Sequence, residues 1–158
     1  MKFIVDCMLG KLAKWLKILG FDTLFFSRAE DEDLLAAARK EKRILLTRDT
    51  GLVERAGDVP TLLLESDKWE DQVRQVLGAF DLWKKVAPHT RCITCNVRLK
   101  HISRRNARNL VTPFVFEHAD AFAVCPECGR VFWKGTHFKD MAFKIENLLK
   151  RDDVKTGA

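Results

Sequence analysis

The sequence predicts a parallel α/β sheet flanked by helices, followed by a small zinc ribbon. Short apolar runs alternate with helical patterns in roughly the first half of the chain, and this alternation is typical of parallel strands joined by crossover helices. Two Cys-x2-Cys pairs follow, at Cys92/Cys95 and Cys125/Cys128. A chain of 158 residues is long enough for one standard domain and a small appendage that a metal stabilises.

The elements of the first domain follow one another regularly. Short apolar runs predict strands at Lys2 to Asp6, Asp22 to Ser27, Arg43 to Thr47 and Pro60 to Glu65. Helical patterns occur at Leu9 to Leu19, from Glu30 through Ala38, at Leu52 to Ala56 and at Trp69 to Phe80. Gly20 ends the first helix, and the acids at 30–33 complement the dipole of the second. We place this domain at residues 1–83.

The ribbon is predicted at residues 88–150. It ends in a helix whose apolar stripe comprises Phe138, Met141, Ala142, Ile145, Leu148 and Leu149. Between the cysteine pairs lie 29 residues, Asn96 to Val124, a spacing that suits short strands between two zinc knuckles. Four sulfurs leave no open position for water, so the zinc is expected to be structural.

Two dithiol redox motifs or two disulfides are the alternative for the cysteines, but a redox Cys-x-x-Cys is expected at a strand-to-helix junction. Cys7 stands outside both pairs. A reducing, cytoplasmic location suits Cys7 and the zinc thiolates. The sequence offers neither a signal peptide nor an apolar run of the roughly 20 residues that a membrane span needs.

Positive charge is concentrated in the second half of the chain. Residues 1–81 carry 13 Lys and Arg against 15 Asp and Glu, whereas residues 82–158 carry 15 against 7. The stretch from Trp83 to Phe116 contains no acid. This pattern predicts a polyanion partner, with a solvated basic face as the alternative. The aromatic residues of the ribbon can stack on bases, but we expect them in its core: Phe114, Phe116, Phe122, Phe132 and Trp133.

Aspartates stand at the ends of the predicted strands. Asp6 ends the first strand, Asp49 follows the third and Asp67 the fourth, while Asp31 and Asp33 open the helix after the second. In an open parallel sheet the carboxyl ends of the strands share one edge, where ligands bind. Converging carboxylates there predict a Mg²⁺ or Mn²⁺ site. Acids that open or cap helices are the alternative, except that no helix cap obviously needs both Asp6 and Asp49.

Other carboxylate sites on α/β folds fit less well. A dehalogenase-type phosphatase needs a second Asp two residues after the first, where this chain has Met8. A receiver domain offers an acidic pair at the first strand, but Cys7 follows Asp6. The sequence contains neither a P-loop nor a G-x-G-x-x-G motif.

Several segments together resemble the Mut7-C RNase family. They are Val5-Asp6, Leu9 to Thr23, Asp31 to Leu35, Ile44 to Asp49, Cys-x2-Cys-Asn, and Cys-Pro-x-Cys-Gly-Arg-Val-Phe-Trp-x-Gly-x-His. The resemblance covers residues 1 to about 142 and departs from the family at Phe132, where Tyr is frequent. That family pairs a PIN-like nuclease domain with a C-terminal zinc ribbon. The resemblance implies that Asp6 and Asp49 are PIN acids, that Asp31 is the third, and that Asp33 or Asp67 is the fourth.

The resemblance implies a metal-dependent ribonuclease fold. Together with the acids at the sheet edge and the basic ribbon, it predicts an endoribonuclease whose ribbon binds RNA, with ribosomal or transfer RNA as candidates. The alternatives are a non-catalytic RNA- or ribosome-binding protein and a toxin-like nuclease with an inhibitor. Thr47, beside Arg48, and Lys11 are further candidates for phosphate contacts. Trp15 is expected in the core or an interface. For His137 a phosphate contact is the alternative, but we expect it to pack in the ribbon or to support a zinc ligand. The predicted RNA contacts are Lys14, Lys17, Arg48, Arg98, Lys100, Arg104, Arg105 and Arg108.

Overall fold

A computed structural model describes residues 1–150. The chain divides into two compact units, one of Met1–Arg98 and one that begins at Leu99. The first unit contains a four-stranded parallel sheet with helices, so the predicted fold class is confirmed. No helix within residues 1–150 is long and apolar enough to cross a membrane.

The first unit alternates strands and helices as the sequence predicts. The strands are β1 (Lys2–Val5), β2 (Asp22–Phe25), β3 (Ile44–Thr47) and β4 (Thr61–Leu63). The helices are α1 (Gly10–Ile18), α2 (Asp31–Glu41), α3 (Thr50–Arg55) and α4 (Trp69–Ala79), and a 3-10 turn at Cys7–Leu9 precedes α1. All strand pairs are parallel, in the order β2-β1-β3-β4.

The strand order places the topological switch between β1 and β3. The chain leaves β1 toward β2 on one side and returns to β3 on the other, so the loops after β1 and β3 diverge from a common crevice. Phe3, Ile4, Leu45 and Leu46 are fully buried in these central strands, and burial of each such side chain contributes about 1.5–3 kcal/mol. Burial of these apolar strands therefore sets the position of the sheet's carboxyl edge, where Asp6 and Asp49 follow β1 and β3.

The segment after α4 is tied to the edge strand of the same sheet. Asn96 Oδ1 accepts a hydrogen bond from the Thr23 amide at 3.0 Å, and its Nδ2 donates to Asp22 at 2.8 Å. Arg43, 6% exposed, donates to Asp22 at 2.7 Å and to the Phe3 carbonyl at 3.1 Å. Burial alone would raise the pKa of Asp22, but these hydrogen bonds and the nearby arginine charges hold that pKa below its ordinary value.

The second unit is a small antiparallel sheet with short helices. Strands β5 (Lys100–Ile102), β6 (Phe122–Val124) and β7 (Val131–Trp133) pair in that order. Between β5 and β6 lie α5 (Arg104–Ala107) and α6 (Pro113–His118), which Ser103 and Thr112 cap at their N-termini, and α7 (Thr136–Leu149) follows β7. A buried core cluster of this second unit comprises Ala107, Ala119 and Phe122.

Candidate functional site

A cleft of about 640 Å³ opens at the carboxyl edge of the parallel sheet. Four of the five predicted acids line it, each from a different loop: Asp6 after β1, Asp31 at the start of α2, Asp49 after β3 and Asp67 after β4. Asp33 is exposed on the first turn of α2 and is not among the lining residues. The topology thus brings together carboxylates that lie up to 61 positions apart in the sequence.

Thr47 connects the two acids at the switch point. Its hydroxyl donates to Asp6 Oδ2 at 2.8 Å, and its oxygen accepts the Asp49 amide at 3.0 Å. Asp6 is 7% exposed, and Thr47 is fully buried. The expectation that Thr47 contacts phosphate is therefore wrong, because no part of it reaches solvent. Its contacts orient the Asp6 carboxylate and the start of the Asp49 loop.

Asp49 also caps a helix. Its Oδ1 accepts the amides of Gly51 at 2.8 Å and Leu52 at 3.2 Å, which satisfies the first turn of α3. No helix cap is predicted for this acid from the sequence, so the cap is a finding of the structure. An Asn at this position keeps the cap oxygen while it removes the charge, and this makes Asp49→Asn a clean substitution.

Asp31 is held by a cation. Arg55, at the end of α3, donates from its guanidinium to Asp31 Oδ2 and from Nε to the Gly51 carbonyl at 3.2 Å. An oxygen of Asp31 is therefore engaged in an ion pair. A metal bound through that oxygen would share it with Arg55.

Two glutamines of α4 support the loop that carries Asp67. Gln72, 3% exposed, donates to the Ser66 carbonyl at 2.9 Å. Gln75 donates to the Leu63 carbonyl at 2.9 Å and accepts the Glu65 amide at 3.0 Å. Asp67 does not cap α4, because the cap position belongs to Lys68, which makes no side-chain cap bond. The loop thus presents Asp67 to the cleft instead.

Cations and an aromatic pair complete the cleft. Arg48, Lys11 and Lys68 line it. Trp69 also lines the cleft and stacks on Trp15 with ring centres 4.4 Å apart. Lys11 Nζ lies 5.4 Å from the ring centre of Trp69. Trp15 is 7% exposed, which confirms its expected place in the core.

The two other predicted lysines of α1 lie outside the cleft lining. Lys14 is exposed. Lys17 is half-buried, and desolvation lowers its pKa although the neighbouring Cys92 partly raises it. Cys7 does line the cleft, where burial, a hydrogen bond to Asp6 and the charges of Asp6 and Asp31 raise the pKa of its thiol. A thiol with a raised pKa is a poor nucleophile.

The donor set of the cleft fits a hard divalent ion. Mg²⁺ prefers carboxylate oxygens and keeps several of its waters, so one or two direct carboxylate ligands suffice. Asp6, Asp31, Asp49 and Asp67 supply only oxygen, and Cys7 is disfavoured as a ligand. Within residues 1–150, the close groups of three or more metal-ligating side chains do not include these acids. Water-bridged ligation accommodates that wider spacing.

The four cysteines form a compact group. The Sγ atoms of Cys92, Cys95, Cys125 and Cys128 all lie within 4.8 Å of one another. A tetrahedral zinc with Zn–S bonds of about 2.3 Å requires sulfur separations of about 3.8 Å. The donor set and the spacing therefore fit one structural zinc ion.

Both cysteine pairs bend the backbone in the same way. The Cys95 amide donates to Cys92 Sγ at 3.4 Å, and the Cys128 amide donates to Cys125 Sγ at 3.5 Å. The residue after each pair has a positive φ, 62° at Asn96 and 73° at Gly129. Glycine and asparagine are the residues that adopt this conformation most readily. The local sequence thus forms two matching knuckles.

The predicted RNA contacts of the basic segment differ in their surroundings. Arg98, Lys100, Arg105 and Arg108 are exposed. Arg104 is also exposed, but it donates to the Ala119 carbonyl at 2.9 Å and to the Phe116 carbonyl, and its guanidinium lies 4.3 Å from the Phe116 ring centre. It therefore stabilises the end of α6, where unpaired carbonyls need donors.

The aromatic residues of the ribbon do not all form its core. Phe122 is 3% exposed and belongs to the core, with Phe116 packed against it. Phe114 is 68% exposed and Trp133 is 46% exposed, so the expectation of a core role is wrong for these two. His137, expected to pack, is exposed as well.

Sequence reasoning did not identify three residues that organise the cleft. Gln72 and Gln75 carried a usable signal, because glutamines three positions apart lie on one helix face beside the apolar stripe of α4. For Trp69 the sequence predicts only the start of a helix. Its stacking on Trp15 joins residues 54 positions apart, and no local pattern predicts such a contact.

Comparison with known protein families gives one match over most of the chain. Residues 1–145 match the Mut7-C RNAse domain. Searches of curated proteins and of solved structures found no match. The matched range includes the four acids of the cleft and the four cysteines. The chain belongs to the Mut7-C RNAse domain family.

Proposed function

We propose that this protein is a metal-dependent endoribonuclease whose acidic cleft hydrolyses RNA phosphodiesters and whose basic ribbon binds the RNA. The family supports a ribonuclease-type function. The observation that carries the proposal is the convergence of Asp6, Asp31, Asp49 and Asp67 on one cleft at the switch point of the sheet.

Asp6 and Asp49 are the residues that would hold Mg²⁺ or Mn²⁺, with Asp31 and Asp67 joining directly or through water. Such an ion, when bound, lowers the pKa of a coordinated water and neutralises charge on the phosphate oxygens. Thr47 keeps Asp6 in a fixed orientation through its 2.8 Å hydrogen bond. Arg48 and Lys11, which line the same cleft, place positive charge where the phosphodiester would lie.

Hydrolysis in this proposal breaks the bond between phosphorus and the 3′ oxygen. A water oxygen attacks phosphorus, and the 3′ oxygen leaves with a proton. The products are a 5′-phosphate and a 3′-hydroxyl. These ends differ from the cyclic phosphates that result when the 2′-hydroxyl attacks, so end analysis distinguishes the two routes.

The charge of the segment that leads into and through the first part of the ribbon supports RNA as the substrate. From Trp83 to Phe116 the chain has eight Lys and Arg and no acid, and contacts of this kind supply most non-specific affinity for nucleic acid. The same observation favours the second candidate, a non-catalytic RNA- or ribosome-binding protein. In that case the acids would be structural, as the cap formed by Asp49 illustrates.

The two candidates are separated by cleavage of total RNA with and without added Mg²⁺ or Mn²⁺. The native protein is compared with Asp6→Asn/Asp49→Asn, which keeps the hydrogen-bond acceptors of both side chains. Asp58→Asn is the matched control, because Asp58 is exposed and pairs with Arg39 outside the cleft. We expect metal-dependent cuts with 5′-phosphate ends in the native protein and the control only. Cleavage by the double variant equal to that of the native protein, or no metal-dependent cleavage at all, would reject the endoribonuclease proposal.

A further inference from the structure

A small aromatic pocket lies in the second unit, between α6, β7 and the start of α7. It has a volume of about 220 Å³, and its walls include Phe114, His118, Trp133 and Phe138. Phe114 and Trp133 are among the most exposed large apolar side chains of the described residues. Exposed apolar rings gathered around a concavity are typical of a binding site.

The pocket has the size for one ring system. Its volume falls below the roughly 300–1,000 Å³ of sites for drug-sized ligands. The Phe114 ring stacks on His118 with centres 4.1 Å apart, and His118 Nδ1 lies 2.8 Å from the Phe114 carbonyl, which holds both rings in place. A Cβ at Gly135 would lie 3.3 Å from Trp133 Cδ1. The glycine therefore lets the indole lie close to the backbone.

Cations contact the residues that line this pocket. Lys134 Nζ lies 5.1 Å from the ring centre of Phe138. Arg104 donates to the carbonyl of Ala119, which is another lining residue. No acid is among the residues that line the pocket. Aromatic rings beside positive charge suit a ligand with a flat ring and a phosphate.

We propose that this pocket binds one unpaired nucleobase of the RNA, stacked on Phe114 or Trp133, with its phosphate near Lys134. The inference rests on the proposed function for RNA as the bound polymer, and it adds a place where the ribbon holds a single-stranded segment. Stacking tolerates every base, because all bases have a π face. The pocket therefore favours unpaired RNA over a helix, whose bases are stacked on one another.

The test is binding of a fluorescein-labelled single-stranded RNA of about 12 nucleotides, within the range that such proteins cover. Full-length Asp6→Asn protein serves as the background, so that the RNA stays intact. Phe114→Ala/Trp133→Ala is compared with Phe143→Ala, whose side chain is 64% exposed on α7 and lies outside the pocket. We expect the affinity to fall about tenfold or more in the pocket variant and to stay within about twofold in the control.

A second RNA, abasic at every position but with the same phosphates, measures the charge contribution alone. It should bind the pocket variant and the control equally. Unchanged binding of the base-bearing RNA by the pocket variant would overturn the proposal. Abasic RNA that binds as tightly as the parent would overturn it as well.

Trp133→Phe provides a readout that does not depend on a disruptive variant. RNA should quench tryptophan emission more in the Trp133 protein than in Trp133→Phe, and equal quenching would contradict the proposal. These measurements read binding without cleavage. If the native protein cuts RNA while the pocket variant binds RNA normally, the pocket is rejected and the nuclease stands. If RNA binding depends on the bases but no metal-dependent cleavage is found, the pocket is supported and the nuclease is rejected.

Discussion

The carboxylate cleft and the cysteine group each bring together four side chains that can hold a metal, but their construction differs. The four sulfurs lie within 4.8 Å of one another and come from two matching knuckles. The four carboxylates line a cleft of about 640 Å³, and at least three of them already have partners: Thr47 for Asp6, Arg55 for Asp31, and the amides of Gly51 and Leu52 for Asp49. A closed sulfur site stabilises a fold, whereas an open oxygen site leaves room for water and substrate.

The largest effect should come from the closed site. We expect Cys125→Ser to lose the roughly one zinc ion per chain and to unfold the second unit, because structural zinc contributes about 10–16 kcal/mol to small metal domains. Zinc content and circular dichroism measure this. Cys7→Ser should keep its zinc. A full zinc complement in Cys125→Ser would show that the cysteines do not form one zinc site.

A smaller effect is expected at the support of the open site. Thr47→Val keeps the shape of the side chain but removes the hydroxyl that donates to Asp6. Loss of a group that orients a metal ligand typically costs 10–100-fold in metal affinity or activity. We expect cleavage to fall in that range and Thr47→Ser to restore it. Cleavage by Thr47→Val at the wild-type rate would show that the Thr47 hydroxyl does not contribute to the activity of the cleft.

The fourth acid should have an effect at the lower end of that range. Asp67 lines the cleft and Asp33 does not, so we expect Asp67→Asn to slow cleavage about tenfold, as loss of a water-bridged or outer ligand does. Asp33→Asn should cleave RNA at nearly the native rate. The reverse order in a side-by-side rate measurement would assign the fourth position to Asp33.

The smallest effect concerns the contact between the first knuckle and the edge of the parallel sheet. Asn96→Gly keeps the positive φ but removes the bonds to Thr23 and Asp22. We expect a loss of about 1–2 kcal/mol in the free energy of unfolding, typical of two partly buried hydrogen bonds. Asn96→Ala should lose more, because alanine is strained at φ 62°. Equal stability of Asn96→Gly and the native protein in denaturant titrations would argue against this contact.

Much of the fold could be predicted from local patterns. The strands and helices of the first unit follow apolar runs and helical spacing, and the strand-end positions of Asp6, Asp49 and Asp67 predicted the shared edge. The bond between Thr47 and Asp6 could not be predicted, because it joins residues 41 positions apart. Whether Phe114 and Trp133 are core or surface depends on how α6 and β7 pack, which local composition does not encode.

The most direct test of where the chemistry lies is a paired measurement on Asp6→Asn, which removes one charge from the open site and leaves the cysteines intact. Zinc content and the rate of Mg²⁺- or Mn²⁺-dependent RNA cleavage are determined on the same preparation. We expect about one zinc per chain, as in the native protein, and a cleavage rate that falls by at least about a hundredfold, since the ion that Asp6 would hold supplies several kcal/mol of transition-state stabilisation. Native-rate cleavage by zinc-loaded Asp6→Asn would contradict a catalytic role of the acidic cleft.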